Sequence, residues 1–141
     1  MSNRVRLSTV AAALSALLPL VGCTKEKQLQ AVAKDWQEQL GINVAIIVRE
    51  LKVFRNDLKS QNYMVSRGSW FGDYGDPTTF LDLNRADDGN NDRKYASAEY
   101  DGILNEAREQ ADPDKRLALL TKAERLIVEE DVPLIPIFTY V

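Results

Sequence analysis

The sequence of 141 residues predicts an α/β fold. One observation is a nearly unbroken apolar run at residues 42–48, rich in β-branched side chains, which is typical of a strand buried on both faces. A second strand is predicted at residues 63–70. A third observation is that apolar residues recur at helical spacing in the segments around these strands, and that capping residues stand at the ends of these segments. A short helix joins the two strands, so we expect a βαβ unit with parallel strands and a right-handed crossover.

The composition excludes several classes of function. There are 18 basic and 21 acidic residues and no His, for a net charge of −3. Without a basic excess to neutralise phosphates, nucleic-acid binding is not expected. The lack of His removes His-ligated metals and His-activated nucleophiles. The single Cys excludes an internal disulfide and a Cys-clustered zinc site, so we predict no metal and no cofactor.

The first residues are predicted to be a targeting segment. Arg4 and Arg6 precede an uncharged apolar run at residues 10–20, which is shorter than the roughly 20 residues a bilayer span needs. This pattern predicts a signal peptide over residues 1–22. Residues 20–23 resemble the bacterial lipobox, which implies a lipid on Cys23 and a lipidated tether at residues 23–28. A plain signal peptide, or a short buried helix, with Cys23 incidental is the alternative.

Two helices are predicted on either side of the first strand. The first covers residues 29–40 and ends at Gly41, with an apolar face of Leu29, Val32, Ala33, Trp36 and Leu40. The second, the crossover helix, covers residues 53–61, with Val53, Phe54 and Leu58 facing inward.

Three helices with clear capping signals are predicted in the second half of the chain. Asp76-Pro77 opens a brief helix through Leu83, Ser97 caps a second, and Asp112-Pro113 opens a third. The predicted core positions of the last two are Tyr100, Ile103, Leu104 and Ala107, followed by Leu117, Leu120, Ala123, Leu126 and Ile127. Residues 85–94 are predicted to be a solvated loop, and residues 132–141 an edge strand or an extended crossing segment.

The candidate site lies in the loop after the second strand, where α/β sheets commonly bind ligands. Its residues are Arg67, Trp70, Phe71, Asp73 and Tyr74. The aromatic rings would supply contact area and screen the carboxylate from water, while the acid and the Arg would hold the two charged ends of a zwitterion. The alternative is an aromatic-capped turn in which Asp73 and its neighbour Asp76 only cap backbone amides. Two carboxylates without a second catalytic feature do not indicate an enzyme.

The chain resembles the C-terminal part of the family 5 extracellular solute-binding proteins, the peptide receptors of ABC importers. The resemblance covers about residues 29–141. Its marks are Leu40-Gly41-Ile42, Trp70-Phe71-Gly72-Asp73-Tyr74, Asp76-Pro77, Phe80-Leu81, Tyr95, Tyr100-Asp101, Leu104, Asp114 to Arg116, Lys122-Ala123-Glu124 and Val132 to Pro136. Each mark is weak alone, and their order and spacing make the match specific.

The resemblance implies a partial lobe of a type II periplasmic-binding-protein clamshell, with the βαβ unit and C-terminal helices. It also implies a peptide or other small solute as ligand, ABC permease subunits as partners, and a lipid-anchored place in the cell envelope, periplasmic or extracytoplasmic. Asp73 would pair with the α-ammonium of a peptide, and Arg67 would meet the carboxylate of short peptides. Trp70, Phe71 and Tyr74 would line the cleft.

Receptors of this family are several times longer than this chain, so residues 29–141 are expected to form a truncated solute-binding domain. Two functions remain open at this point. One is a truncated solute-binding component of an ABC import system, active in transmembrane peptide transport. The other is a remnant that no longer binds solute and acts only as an envelope lipoprotein or an interaction module.

Overall fold

The computed structural model describes residues 25–139, and the chain divides into two compact units, Met1–Arg49 and Glu50–Val141. Regular structure in the described residues is helical. The helices are α1 (Lys25–Leu40), α2 (Leu51–Lys59), α3 (Thr78–Leu81), α4 (Ala98–Glu109) and α5 (Pro113–Arg125), with a 3-10 turn at Asp82–Asn84 and a π-helical turn at Leu126–Glu130. Over this part of the chain, none of the helices combines the length and the apolar character that crossing a membrane requires.

Helix α1 belongs to the first unit and ends where the sequence predicts. Gly41 follows it with φ of 69°, a left-handed conformation that favours glycine at a helix end. The Gly41 amide donates to the carbonyl of Gln37 at 3.1 Å. The helix begins at Lys25, so the end of the predicted tether, residues 25–28, is helical instead. Cys23 and the predicted signal peptide lie outside the described residues.

The two predicted strands are absent from the described part of the chain. Residues 42–48 and 63–70 have no strand structure, so the βαβ unit is not confirmed. The prediction that the first of these segments is buried on both faces is wrong here: Ile47 is 68% exposed and Val48 is 75% exposed. An apolar run becomes a buried strand only when neighbouring strands accept its hydrogen bonds and other layers cover its faces.

The predicted crossover helix is confirmed as a helix, with shifted ends. Helix α2 begins two residues earlier than expected because the Glu50 carboxylate caps it, accepting from the amides of Lys52 at 3.0 Å and Val53 at 3.3 Å. The predicted inward face is only partly correct. Phe54 is half-buried, as is Leu58, whereas Val53 is 44% exposed.

The core of the second unit lies between α4 and α5, as the helical spacing predicts. Its buried members are Leu81, Tyr100, Ile103, Leu104, Ala107, Leu120, Ala123, Leu126 and Ile127. Leu117 was predicted to belong to this set and is instead 57% exposed. The predicted caps are confirmed: the Ser97 hydroxyl accepts from the Tyr100 amide at 3.3 Å, and Asp112 accepts from Asp114 at 3.0 Å.

The loop over residues 85–94 is more ordered than the prediction of a solvated loop. Asn91 is only 2% exposed. Its side-chain amide donates to the carbonyls of Arg85 at 2.9 Å and Tyr95 at 2.7 Å, and its oxygen accepts from the Tyr95 amide at 3.2 Å. After the π-helical turn, residues 132–139 have no strand structure, and Leu134 packs against the core.

Candidate functional site

The candidate site is the loop over residues 70–77, which leads directly into α3. Asp76 fixes the start of that helix, because its Oδ1 accepts from the backbone amide of Thr78 at 3.0 Å and from the Thr78 hydroxyl at 2.7 Å. The predicted helix start at Asp76-Pro77 is therefore confirmed, and the helical turns continue through Asn84.

Asp76 is also held by a distant residue, Arg116 of α5. The two Arg116 nitrogens Nη1 and Nη2 donate to Asp76 Oδ2 at 2.8 Å and to Oδ1 at 3.0 Å. This bidentate geometry is the strong form of a carboxylate–guanidinium pair. The hydrogen bonds from Arg116, followed by those from Thr78, hold the pKa of the Asp76 carboxyl well below its usual range.

The backbone of Asp73 is held by α3. The Asp73 amide donates to Oγ1 of Thr79 at 2.9 Å, and Thr79 is only 4% exposed. Close by, a Cβ on Gly72 would lie 3.3 Å from Cζ of the Phe80 ring, so the absence of a side chain at Gly72 lets this ring approach the backbone. Backbone and carboxylate contacts thus fix both ends of the segment 73–76.

The carboxylate of Asp73 is exposed, and it makes no hydrogen bond or ion pair with any residue between 25 and 139. Of the two acids predicted either to bind ligand or to cap amides, Asp76 caps and Asp73 does not. The prediction that aromatic rings screen Asp73 from water is wrong for this unit taken by itself. Forming a screened pocket needs surface on more than one side of the loop.

The three predicted aromatic residues are all exposed on the same loop as Asp73. Trp70 is 39% exposed, Phe71 71% and Tyr74 53%. The Tyr74 hydroxyl lies 3.3 Å from the Thr78 hydroxyl, which ties this side chain to α3. Arg67 is half-buried and is engaged in an interaction of its own.

An open cleft that the sequence did not indicate lies elsewhere in the second unit. It has a volume of about 330 Å³ and is lined by Gln61, Tyr63, Met64, Arg93, Tyr95 and Pro133. The Tyr95 hydroxyl donates to Asp131 Oδ2 at 2.6 Å, and the Tyr63 hydroxyl donates to the Asp92 carbonyl at 3.1 Å. Within residues 25–139, no group of three or more Cys or acidic side chains could hold a metal ion.

Sequence reasoning did not assign a site role to Arg116 or Thr79. Arg116 is 40 positions from the carboxylate that it binds, and such a pairing has no local signal in a single sequence. Thr79 lies inside a short helix, and no sequence pattern at this position indicates that its hydroxyl binds a loop. Both support the loop that carries Asp73.

The chain is similar to a known class of binding protein. The family model described as bacterial extracellular solute-binding proteins, family 5 Middle, matches residues 19–92. The chain belongs to this family, as the sequence resemblance indicates. Its members are solute-binding proteins and not enzymes, in agreement with the prediction from the sequence.

Several relatives are named as peptide-binding proteins. The oligopeptide-binding protein OppA of Bacillus subtilis is 38% identical over 115 residues, which are 81% of this chain and 21% of that protein. Among solved structures, the Escherichia coli murein tripeptide binding protein MppA matches with a TM-score of 0.76 and 32% identity, covering 82% of this chain and 22% of that chain.

A second solved structure, Haemophilus influenzae OppA in complex with RPPGFSPFR, matches with a TM-score of 0.76 and 31% identity, over 82% of this chain and 23% of that chain. The chain therefore spans about a fifth of the length of the relatives it matches.

Proposed function

We propose that this chain contributes to peptide binding in an ABC import system, with Asp73 as the residue that receives the α-ammonium group. The observation that carries the proposal is the Asp73 carboxylate, which has no hydrogen-bond or ion-pair partner among residues 25–139 although the loop around it is held at both ends. A positioned acid with unused hydrogen-bonding capacity is suited to a cationic group supplied by a ligand.

The neighbouring side chains support a peptide as the ligand. Trp70, Phe71 and Tyr74 offer exposed ring surface beside the acid, which suits the variable side chains of a peptide. Arg67 would meet the carboxylate of short peptides. The relatives named as oligopeptide- and murein-tripeptide-binding proteins support this class of solute.

The larger arrangement is part of the same proposal. The described helices would form part of one lobe of a type II clamshell, with a βαβ unit completed where the strands find partners. ABC permease subunits would receive the solute. The name of the Escherichia coli relative MppA describes that protein as periplasmic, which supports an extracytoplasmic location. Residues 1–22 would be the signal peptide, and Cys23 would carry the lipid. A Cys23→Ser variant should then lose fatty-acid labelling and leave the membrane fraction.

The amine site is tested by calorimetry with RPPGFSPFR and its N-acetylated form. The unmodified peptide should bind more tightly, and Asp73→Asn should raise its Kd at least about tenfold, because a charge-assisted hydrogen bond is lost. Asp87→Asn is the matched control, since this acid is also exposed and lies in the same unit. Equal binding of the two peptides by the unaltered chain would contradict the proposal.

A further inference from the structure

We propose that Arg116 is a positioning residue for the amine site, acting through Asp76 to hold the loop that carries Asp73. The inference rests on the function proposed above and adds a residue to it that is remote in the sequence. The hydrogen bonds of Arg116 go to Asp76 and not to the Asp73 carboxylate. Its effect passes through hydrogen bonds that are joined by the backbone between Thr78 and Thr79.

The first step is the bidentate ion pair between Arg116 and Asp76. Two parallel hydrogen bonds, at 2.8 and 3.0 Å, restrain both the distance and the orientation of the carboxylate. Both side chains are 32% exposed, so the pair is only partly screened by water. By contrast, Lys122 and Glu99 form a single 3.6 Å contact with 62% and 63% of the side chains exposed.

The second step runs from Asp76 into the start of α3. The same carboxylate oxygen that Arg116 Nη2 contacts also accepts from the amide and the hydroxyl of Thr78. The orientation of the carboxylate therefore sets the orientation of the first turn of the helix. Thr79, the next residue, is buried and moves with that turn.

The third step returns from α3 to the binding loop. Oγ1 of Thr79 accepts from the Asp73 amide at 2.9 Å, so the backbone at Asp73 follows the first turn of the helix. Only Tyr74 and Gly75 separate this anchor from Asp76. A two-residue connection held at both ends has few backbone conformations available, which restricts where the Asp73 carboxylate can lie.

The test compares two variants of the full chain, Arg116→Met and Arg116→Lys, with Lys122→Met as a matched control on the same helix. The measured quantity is the ratio of the Kd of N-acetylated RPPGFSPFR to that of the unmodified peptide. We expect this ratio to fall at least about fivefold in Arg116→Met, to fall less in Arg116→Lys, and to stay unchanged in Lys122→Met. A rise of both Kd values by one common factor, with the ratio unchanged, would show a merely structural role and overturn the inference.

A second readout separates this inference from the proposed function. Amide hydrogen exchange at Asp73 should become at least about tenfold faster in Arg116→Met, while exchange at core amides such as Leu104 stays slow. If the unaltered chain does not prefer the free amine, the proposed function fails, and the exchange measurement then decides only whether Arg116 holds the loop at Asp73. Unchanged exchange at Asp73 overturns the inference whatever the binding data show. If Arg116→Met does not fold, Arg116→Lys decides by the same two measurements.

Discussion

The hydroxyl of Tyr100, a side chain with no exposed surface, donates a 2.8 Å hydrogen bond to the carbonyl oxygen of Leu81. This bond ties the centre of the core to the end of α3. Leu81 is itself buried, and its carbonyl accepts a second hydrogen bond from the side-chain amide of Asn84 at 3.3 Å. Burial also raises the pKa of the Tyr100 hydroxyl, which therefore stays protonated and able to donate.

Replacing Tyr100 should separate the value of this hydrogen bond from that of the ring. Tyr100→Phe should lower the free energy of unfolding by about 0.5–1.5 kcal/mol, since the Leu81 carbonyl keeps its bond from Asn84. Tyr100→Ala should cost about 3–5 kcal/mol, because a large cavity opens in the core. Urea unfolding followed by circular dichroism measures both. Equal losses for the two variants would show that the hydroxyl, not the packing, dominates.

The Asp76–Arg116 pair predicts a defined dependence of stability on pH. The folded state lowers the pKa of Asp76, so the stability gained from its ionised form is complete above the ordinary carboxyl pKa and is lost as pH falls toward the folded value. The difference in Tm between the unaltered chain and Asp76→Asn should be largest above about pH 5 and shrink toward about pH 2.

An Arg116→Met background provides the control for that measurement. Without the guanidinium, Asp76→Asn should produce a smaller change in Tm at neutral pH, because the main cause of the lowered pKa is gone. Additive effects of the two substitutions would contradict the direct coupling that the 2.8 and 3.0 Å contacts indicate.

Tyr95 should titrate at unusually high pH. Burial, followed by the hydrogen bond to Asp131, raises its pKa to about 12. The difference between ultraviolet titrations of the unaltered chain and Tyr95→Phe isolates this residue. Asp131→Asn should lower the pKa without returning it to the ordinary value, since burial remains the largest cause.

The same shift has a consequence for stability in alkali. The folded state binds the Tyr95 proton more tightly than the unfolded chain does. The resulting stability is therefore complete below about pH 10 and is lost as pH rises toward the folded pKa of about 12. Tyr95→Phe should lack this alkaline loss. A titration of Tyr95 that Asp131→Asn leaves unmoved would contradict a role for the 2.6 Å contact.

Asn91 should be among the most sensitive polar residues of the second unit. Asn91→Leu removes the side-chain partner of the Tyr95 amide and of the Tyr95 carbonyl, and each buried unsatisfied group costs about 1–3 kcal/mol. The Arg85 carbonyl also loses its bond from Asn91 but keeps one from the Asp88 amide at 3.2 Å. We expect a loss of at least about 2 kcal/mol in the free energy of unfolding. Asn90→Leu is the matched control, because Asn90 is exposed. Similar losses for the two variants would rule out this role.

The local features of the candidate loop could be predicted from the sequence. The features that could not be predicted depend on contacts with residues far away in the chain. The grouping of an acid and three rings at residues 70–74 and the helix start after Asp76 follow from residue types at close spacing. The screening of Asp73 from water does not, because it depends on surfaces that come from other parts of a fold. Arg116 was recognisable as a family mark but not as a partner of Asp76.

Local chemistry in the sequence determined the end of α1 and the starts of α4 and α5. The side chains of Ser97 and Asp112 accept hydrogen bonds from backbone amides three residues further along the chain. Gly41 adopts a left-handed conformation that needs no distant contact. The apolar faces of α4 and α5 follow from the same local periodicity, since residues three and four apart share a side of a helix.

Only the tertiary structure decided which polar residues are buried and which apolar ones are not. Asn91 in a run of loop residues is buried, whereas the apolar segment 42–48 is exposed. The physical reason is that a strand needs partners far along the chain, and that Asn91 is held only where the loop brings the carbonyls of Arg85 and Tyr95 to the same side-chain amide. A capped helix satisfies most of its hydrogen bonds within its own segment, and its capped ends can therefore be predicted from the sequence.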